Sequence, residues 1–367
     1  MRHNPGLLLR HAIVCCCALA PLWTPGTSAT ARSIAPPAEA ASLAFQQRHH
    51  AVQHGGIVRA ANSSITCRTA VARADAPSCQ DARGGGAAAN GDFDMSYIDV
   101  DSDPNTYNSS HGEVRLPQGA RVTYARLYWG GNLRAGEQKP PEDNGRVLIA
   151  EPGGAYKEVV ADTLVGHRVA RGADAFQASA DVTKLVRSSG PGLYTVAQVN
   201  VASGRSAAGA WGGWTLVVVY EKESEPLRHL AVWDGFDALA ADRDQEVRLP
   251  GMAFPRGAGG QVGLVAYNGD RGTRGDTLTV SVGNGEPIAL GDAANPRDDV
   301  LNSTISDPGS SGPDRSPAYA NTLGYDSDVL DLSEELRPGG DQLVFRIASQ
   351  RDAAWVGVFF VAVDAKP

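Results

Sequence analysis

The sequence predicts an all-β protein: two tandem antiparallel β-sandwich domains, jelly-roll-like, behind a signal peptide and a flexible leader. Three observations predict it. From Phe93 onward, short apolar runs such as "ARVTYARLYW", "LYTVAQVNVA", "QVGLVAY" and "QLVFRIA" alternate with Gly/Pro/Asn/Asp clusters, the pattern of short strands between turns. Glycine (42) and proline (22) are abundant, which suits a turn-rich β chain, and few segments sustain helical periodicity over three turns. A weak internal repeat runs through this part. Glu113-Val-Arg-Leu-Pro117 recurs as Glu246-Val-Arg-Leu-Pro250, Asp181-Val182 as Asp328-Val329, and Trp214 at the head of "WTLVVVYE" as Trp355 at the head of "WVGVFFVAV".

Four segments follow in order. Residues 1–31 read as a secretory signal: Arg2, His3 and Arg10 precede an apolar run from Ala12 to Trp23, and Ala29-Thr30-Ala31 offers a cleavage site. Val14 stands before Cys15, where a lipoprotein signal needs a small residue. Residues 32–91, rich in Ala, Arg, Ser and Gly with little periodicity, read as the flexible leader. In an exported chain Cys67 and Cys79 invite one disulfide that would pin it. The sandwich domains are expected at 92–224 and 225–367. "WTLVVVY" and "WVGVFFVAV" lack polar alternation, so they are expected as central strands covered on both faces, able to bury one domain against the other.

Charge and motifs exclude several functions. The formal net charge is −8 and lysines are few, which argues against nucleic-acid binding. After signal cleavage no transmembrane segment is expected. There is no G-x-S-x-G elbow, no H-E-x-x-H and no paired Cys/His spacing for zinc, so no enzyme is announced.

The candidates that remain are acidic and aromatic. "YIDVDSDPNTYNSS" places Asp99, Asp101 and Asp103 at alternate positions. Alternating carboxylates are one way to supply oxygens to calcium. Counted from Asp99, however, the sixth position is Pro104 and the twelfth is Ser110, so this is not an EF-hand. Asp-Pro-Asn is also ordinary turn chemistry, and both readings stay open. "NGDRGTRGDTL" adds Asp270 and Asp276 as metal candidates, with Arg274-Gly275-Asp276 read as a turn rather than a displayed integrin tripeptide. "GYDSDVLDL" is a third acidic run. Trp129 and Trp233, at strand ends next to glycine, are candidate sugar platforms, against the alternative of core packing.

Taken together, "ARLYWGG", "GGWTLVVVYE" with "PLRHLAVWDGF", "GDRGTRGDTL", "LNSTIS" and "NTLGYDSDVLDL" resemble a β-rich ectodomain of large bacterial cell-surface and adhesin-like proteins, which also occurs as secreted versions in high-GC Gram-positive bacteria. Where that family has Glu-Gly-Asp, this chain has Asn268-Gly269-Asp270. The resemblance implies secreted or surface work and brings no catalytic residues with it. The expectation is an exported, non-enzymatic protein for extracellular recognition, adhesion or cell-envelope association, its partner a glycan or an envelope component and calcium its one candidate cofactor. The alternative is a secreted carbohydrate-binding protein or weakly marked carbohydrate-active hydrolase.

Overall fold

A computed structural model describes residues 35–70, 77–241, 243–309, 312, 314–351 and 353–367, with the backbone alone at 167 and 168. The signal-peptide reading of residues 1–31 lies outside the described residues. Residues 35–367 cluster as one compact unit.

Among the described residues, twenty strands make up almost all regular structure. They are β1 (Leu43–Ser63), β2 (Ile65–Ala70), β3 (Phe93–Tyr97), β4 (Ser109–Val114), β5 (Arg121–Asn132), β6 (Arg146–Ala150), β7 (Lys157–Val160), β8 (Thr163–Ala170), β9 (Ala173–Asp181) and β10 (Gly192–Ala197), followed by β11 (Gly212–Glu221), β12 (Leu227–Ala238), β13 (Gln245–Phe254), β14 (Gly260–Tyr267), β15 (Asp276–Val282), β16 (Ile288–Ala289), β17 (Arg315–Ser316), β18 (Tyr325–Asp331), β19 (Gly340–Ser349) and β20 (Trp355–Asp364). Two short helices, α1 (Cys79–Arg83) and α2 (Thr183–Ser189), interrupt them. Every strand ladder is antiparallel, so the all-β expectation holds.

A nine-stranded sheet, ordered β18-β14-β20-β12-β1-β11-β5-β9-β8, forms the centre of the molecule. It works as two half-sheets joined by one strand. Leu43–His54 of β1 pairs with β12, and Gly55–Ser63 of the same strand pairs with β11. Gly55 marks the change of partner. Its φ of 147° and the Tyr220 carbonyl, 2.0 Å from where a Cβ would lie, leave room for glycine alone.

Alternation of side chains along the strands sorts the core into three layers. On β5 and β11, Leu127, Trp129, Trp214, Leu216 and Val218 point one way. They pack with Val114, Ile149, Tyr194 and Val196 of the five-stranded sheet β17-β4-β10-β6-β7. On β14 and β20, Val262, Leu264, Phe359 and Val361 face the four-stranded sheet β13-β19-β15-β16 through Leu249, Leu278, Phe345 and Ile347. The remaining faces of the two half-sheets meet each other: Tyr128, Val217 and Val219 from one, Val232, Val265, Tyr267, Tyr325 and Phe360 from the other. The result is two sandwiches stacked through their central half-sheets, four β layers in all. "WTLVVVYE" (β11) and "WVGVFFVAV" (β20) are covered on both faces because each sits in an inner layer.

Polar side chains cross the middle layer and bind the halves. Arg48 donates to both oxygens of Asp234, at 2.7 and 2.9 Å, and Tyr128 donates to Asp234 Oδ2 at 3.1 Å. Thr215 Oγ1 lies 2.7 Å from the Tyr325 hydroxyl. Gln177 on β9 donates from Nε2 to the Gly235 carbonyl at 2.9 Å and accepts at Oε1 from the Tyr267 hydroxyl at 3.1 Å.

The expected flexible leader is corrected here. Residues 43–63 are the strand shared by both half-sheets, and 65–70 pair with β3. The polar run "FQQRHHAVQH" looked unstructured because its side chains are exposed or only partly buried; in "GGIVRAANSS" nearly every residue is buried and small residues are frequent. Cys67 and Cys79 are joined in a disulfide, with Cα atoms 5.7 Å apart, which ties α1 to β2.

Candidate functional site

Asp99, Asp101 and Asp103 do not lie along a strand. They occupy the connection between β3 and β4 as a chain of side-chain-capped turns. Asp99 Oδ1 accepts from Ser109 Oγ at 2.7 Å, Asp101 Oδ1 from the Asp103 amide at 2.8 Å, and Asp103 Oδ1 from the Asn105 amide at 2.9 Å. Tyr156 also donates to Asp101 Oδ2. These bonds hold the Asp101 carboxyl below its ordinary value against the burial that opposes them.

The aromatic candidates part company. Trp129 is fully buried in the first sandwich, its indole N–H donating to the Asn144 carbonyl at 2.8 Å, so it offers no face to a ligand. Trp233 is half-buried against the second core.

Asp270 and Asp276 lead to the strand that carries the third acidic run, where the sequence did not foresee a closed cluster. "GDRGTRGDTL", "LNSTIS" and "NTLGYDSDVLDL" converge on the covered side of β18, where the loops around residues 292–306 close over the strand. The strand puts Asp326 and Asp328 on one face, and both are buried. Asp328 Oδ1 accepts from the Ser306 amide at 2.9 Å, from Ser306 Oγ at 2.7 Å and from Thr304 Oγ1 at 3.0 Å. Asp326 Oδ1 accepts from the Thr304 amide at 3.1 Å. The Oδ2 atom of each makes no hydrogen bond.

Burial is the main cause that raises both carboxyls. Asp326 stands well above its ordinary value, with Asp328 and Asp276 adding repulsion. Asp328 is pushed up to about 7, against the pull of Ser306 and the Arg59 guanidinium. Asp276 is fully buried at the start of β15, so Arg274-Gly275-Asp276 displays no acid to solvent. Asn90 reaches in from the turn before β3, donating to Asn268 Oδ1 at 2.8 Å and to Asp270 Oδ1, through its amide, at 3.3 Å. Three of the five non-glycine residues with left-handed backbone among the described residues, Asn268, Ser303 and Leu323, surround this cluster. Each such residue costs on the order of 1–3 kcal/mol, and it persists only where the surroundings fix it.

Sequence reasoning named Asp270 and Asp276 here and noted the acidic run "GYDSDVLDL" that carries Asp326 and Asp328, without offering those two as ligands, and it passed over Asn295, Asn302 and Thr304. One signal was available: two aspartates alternating inside "GYDSDVLDL", a run otherwise apolar enough for a covered strand.

A second feature is open to solvent. A groove of about 820 Å³ runs between β5, β7 and the start of α2, lined by His49, Thr123, Tyr124, Glu158, Asp181 and Lys184 among others. His49 stacks on Tyr124 with ring centroids 4.3 Å apart and planes within 4°. Burial lowers the His49 imidazole and pushes the Tyr124 hydroxyl up to about 12, so both rings are neutral near pH 7. Glu158 is held by Arg146 at 2.7 Å, and Asp181 Oδ1 accepts from the Thr183 amide at 2.8 Å. Among the described residues, no helix is long and apolar enough to cross a membrane.

Residues 89–253 match a family described as "Protein of unknown function (DUF3344)", a stretch that begins just before β3 and ends inside β13. No curated protein matches the chain. Among solved structures, the chain is similar to one titled for Sulfolobus Turreted Icosahedral Virus, at 10% identity and a TM-score of 0.21, covering 70% of this chain and 86% of that one. A structure of PNGF-II gives 9% identity and a TM-score of 0.23, covering 85% and 66%. Quercetin 2,3-dioxygenase from Acinetobacter baumannii gives 8% and 0.19, covering 88% and 85%. At these TM-scores the likenesses carry no argument.

Proposed function

We propose that the protein is an exported, non-enzymatic recognition module that binds an extracellular glycan or cell-envelope component through the groove beside α2. The groove carries this reading. It is large enough for a small saccharide, it sets exposed carboxylate and ammonium groups of Glu158, Asp181 and Lys184 over a floor that includes the largely buried His49–Tyr124 ring pair, and it rests on β strands and α2 rather than on loops. The Cys67–Cys79 disulfide suits an oxidising compartment, in keeping with the secretory signal read at residues 1–31. The resemblance to bacterial surface ectodomains points the same way. Glu158 and Asp181 are each engaged in local bonds, which suits holding a ligand better than moving a proton.

The test is a glycan array and purified peptidoglycan fragments, followed by titration of the best ligand. Glu158→Gln and Lys184→Ala change exposed side chains at the rim. Each is expected to weaken binding by about tenfold, the size of one charged contact. Unchanged affinity in both variants would remove the groove from consideration. Cleavage of a bound saccharide would replace the binder with the hydrolase.

A further inference from the structure

We infer that the buried cluster under β18 is a binding site for one divalent cation of calcium type, held by the Asp326 and Asp276 carboxylates with neutral oxygens of residues 301–304. The inference stands apart from the groove and its ligand.

The cluster holds more acceptors than donors. Thr304 Oγ1 has one hydrogen, yet it lies 2.7 Å from Asn295 Oδ1, 2.8 Å from Asn302 Oδ1 and 3.0 Å from Asp328 Oδ1. The amide ends of both asparagines are fixed elsewhere, Asn302 Nδ2 on the Ala294 carbonyl at 2.7 Å and Asn295 Nδ2 on Ser306 Oγ at 2.8 Å, so their oxygens are held facing inward. Asp326 is wholly buried and its Oδ2 meets no donor. At Gly269, the position a Cβ would occupy lies 2.2 Å from the Leu301 carbonyl oxygen and 2.8 Å from Asp326 Oδ2, so a carbonyl and a carboxylate oxygen are held close on one side of a residue that has no side chain. An unpaired buried carboxylate is costly, and surplus acceptors around it make it worse.

The two flanks of the cluster differ. On the Asp328 side, Arg59 and Arg315 supply positive charge. On the Asp326 side the charged neighbours are Asp328 and Asp276, both acidic. A cation therefore belongs on the Asp326 side, at the unpartnered Oδ2 and the Leu301 carbonyl, with Asp276 the further acidic group acting there. The chemistry of the donors selects its class: carboxylate, carbonyl, amide and hydroxyl oxygens with no imidazole or thiolate suit calcium rather than zinc or copper. Among the described residues no three acidic, histidine or cysteine side chains stand close enough to hold a metal by themselves, so neutral oxygens must complete the shell.

The experiment uses the whole protein, stripped with EDTA, dialysed and titrated with calcium chloride. One calcium per chain is expected, with a rise in Tm. Hydrogen exchange of the wild-type protein is expected to slow on adding calcium at 299–306 and 324–328. Asp326→Asn is expected to weaken binding at least tenfold, whereas Asp101→Asn leaves it unchanged. The inference is overturned if the wild type takes up no calcium, if protection appears instead at 98–109, or if Asp101→Asn abolishes binding that Asp326→Asn keeps. Wild-type exchange decides the matter even where the Asp326 variant does not fold. A shared proton between the two carboxylates would then be the explanation left standing.

Discussion

Replacing Gln177 by Leu tests whether the two sandwiches are held as one body. Gln177 projects from β9, in one half-sheet, and is 4% exposed. Its amide reaches across the middle layer to the Gly235 carbonyl on β12, and its carbonyl takes the hydroxyl of Tyr267 on β14. Gly357 on β20 has no side chain at the spot where a Cβ would sit 1.8 Å from Gln177 Oε1, so the opposite half-sheet is shaped around this residue. Leucine has nearly the same volume, so the change leaves little cavity. What it removes is the partner of two buried groups, the Tyr267 hydroxyl and the Gly235 carbonyl. Each unmet group costs about 1–3 kcal/mol, so the pair should cost roughly 4 kcal/mol. Unfolding entropy near 2.1 cal/mol/K per residue, over a body of this length, translates each kcal/mol into about 1.4 °C, and the expected fall in Tm is about 6 °C. Calorimetry and urea unfolding give the number. A double-mutant cycle with Tyr267→Phe should show a coupling of about 1 kcal/mol or more, because both changes break the same bond. A loss below about 1 kcal/mol, or strict additivity with Tyr267→Phe, would refute the claim that polar bridges fasten the two halves.

Two further outcomes follow from features already described. Cys67→Ser removes a cross-link between residues 12 apart in sequence, and loop-closure entropy puts the loss at about 3 kcal/mol. Urea midpoints of the variant should match those of the reduced wild type, and a difference would mean that the serine, not the lost link, was responsible. The second concerns pH in the presence of EDTA. The Asp326 carboxyl is raised in the folded state, so between its unfolded and folded values the native chain holds a proton that the unfolded chain has released. Stability from this group therefore falls as pH rises from the ordinary carboxylate range of about 4 towards its raised folded value. Asp326→Asn should remove that slope, so the variant gains on the wild type at pH 8 relative to pH 5. Parallel stability curves for the two proteins would contradict the assignment.

Much of the architecture was legible because burial periodicity is local. Strands β11 and β20 announced themselves as covered on both faces, since a run such as "WTLVVVYE" has no other stable home. The turn chemistry of Asp101 and Asp103 was equally local, carried by amides two residues away. β1 was not legible. A strand whose first half buries no side chain fully and is built largely of Gln, Arg and His looks like a linker until its two partners, some 170 residues further on, are known. Trp129 at the end of "LYW" fits a sugar platform and a core equally well from sequence. The Asn144 carbonyl that takes its N–H decides between them, and that contact exists only in the fold. The cluster under β18 was hidden for a related reason. Asn302, Thr304 and Asp326 are each common turn residues, and only their convergence on one closed volume gives them chemical meaning.

The shared strand also governs when the molecule can take shape. β1 is made early, but it has no edge to join until β11 and β12 exist, and β12 is itself completed by β20, which ends at Asp364. Its contacts span nearly the whole chain, and ladders of such long sequence separation form slowly. The joint between the two sandwiches therefore closes only after β12 has been made and β20 has flanked it. The two sandwiches thus become one body late, when the strand made first meets strands made long after it.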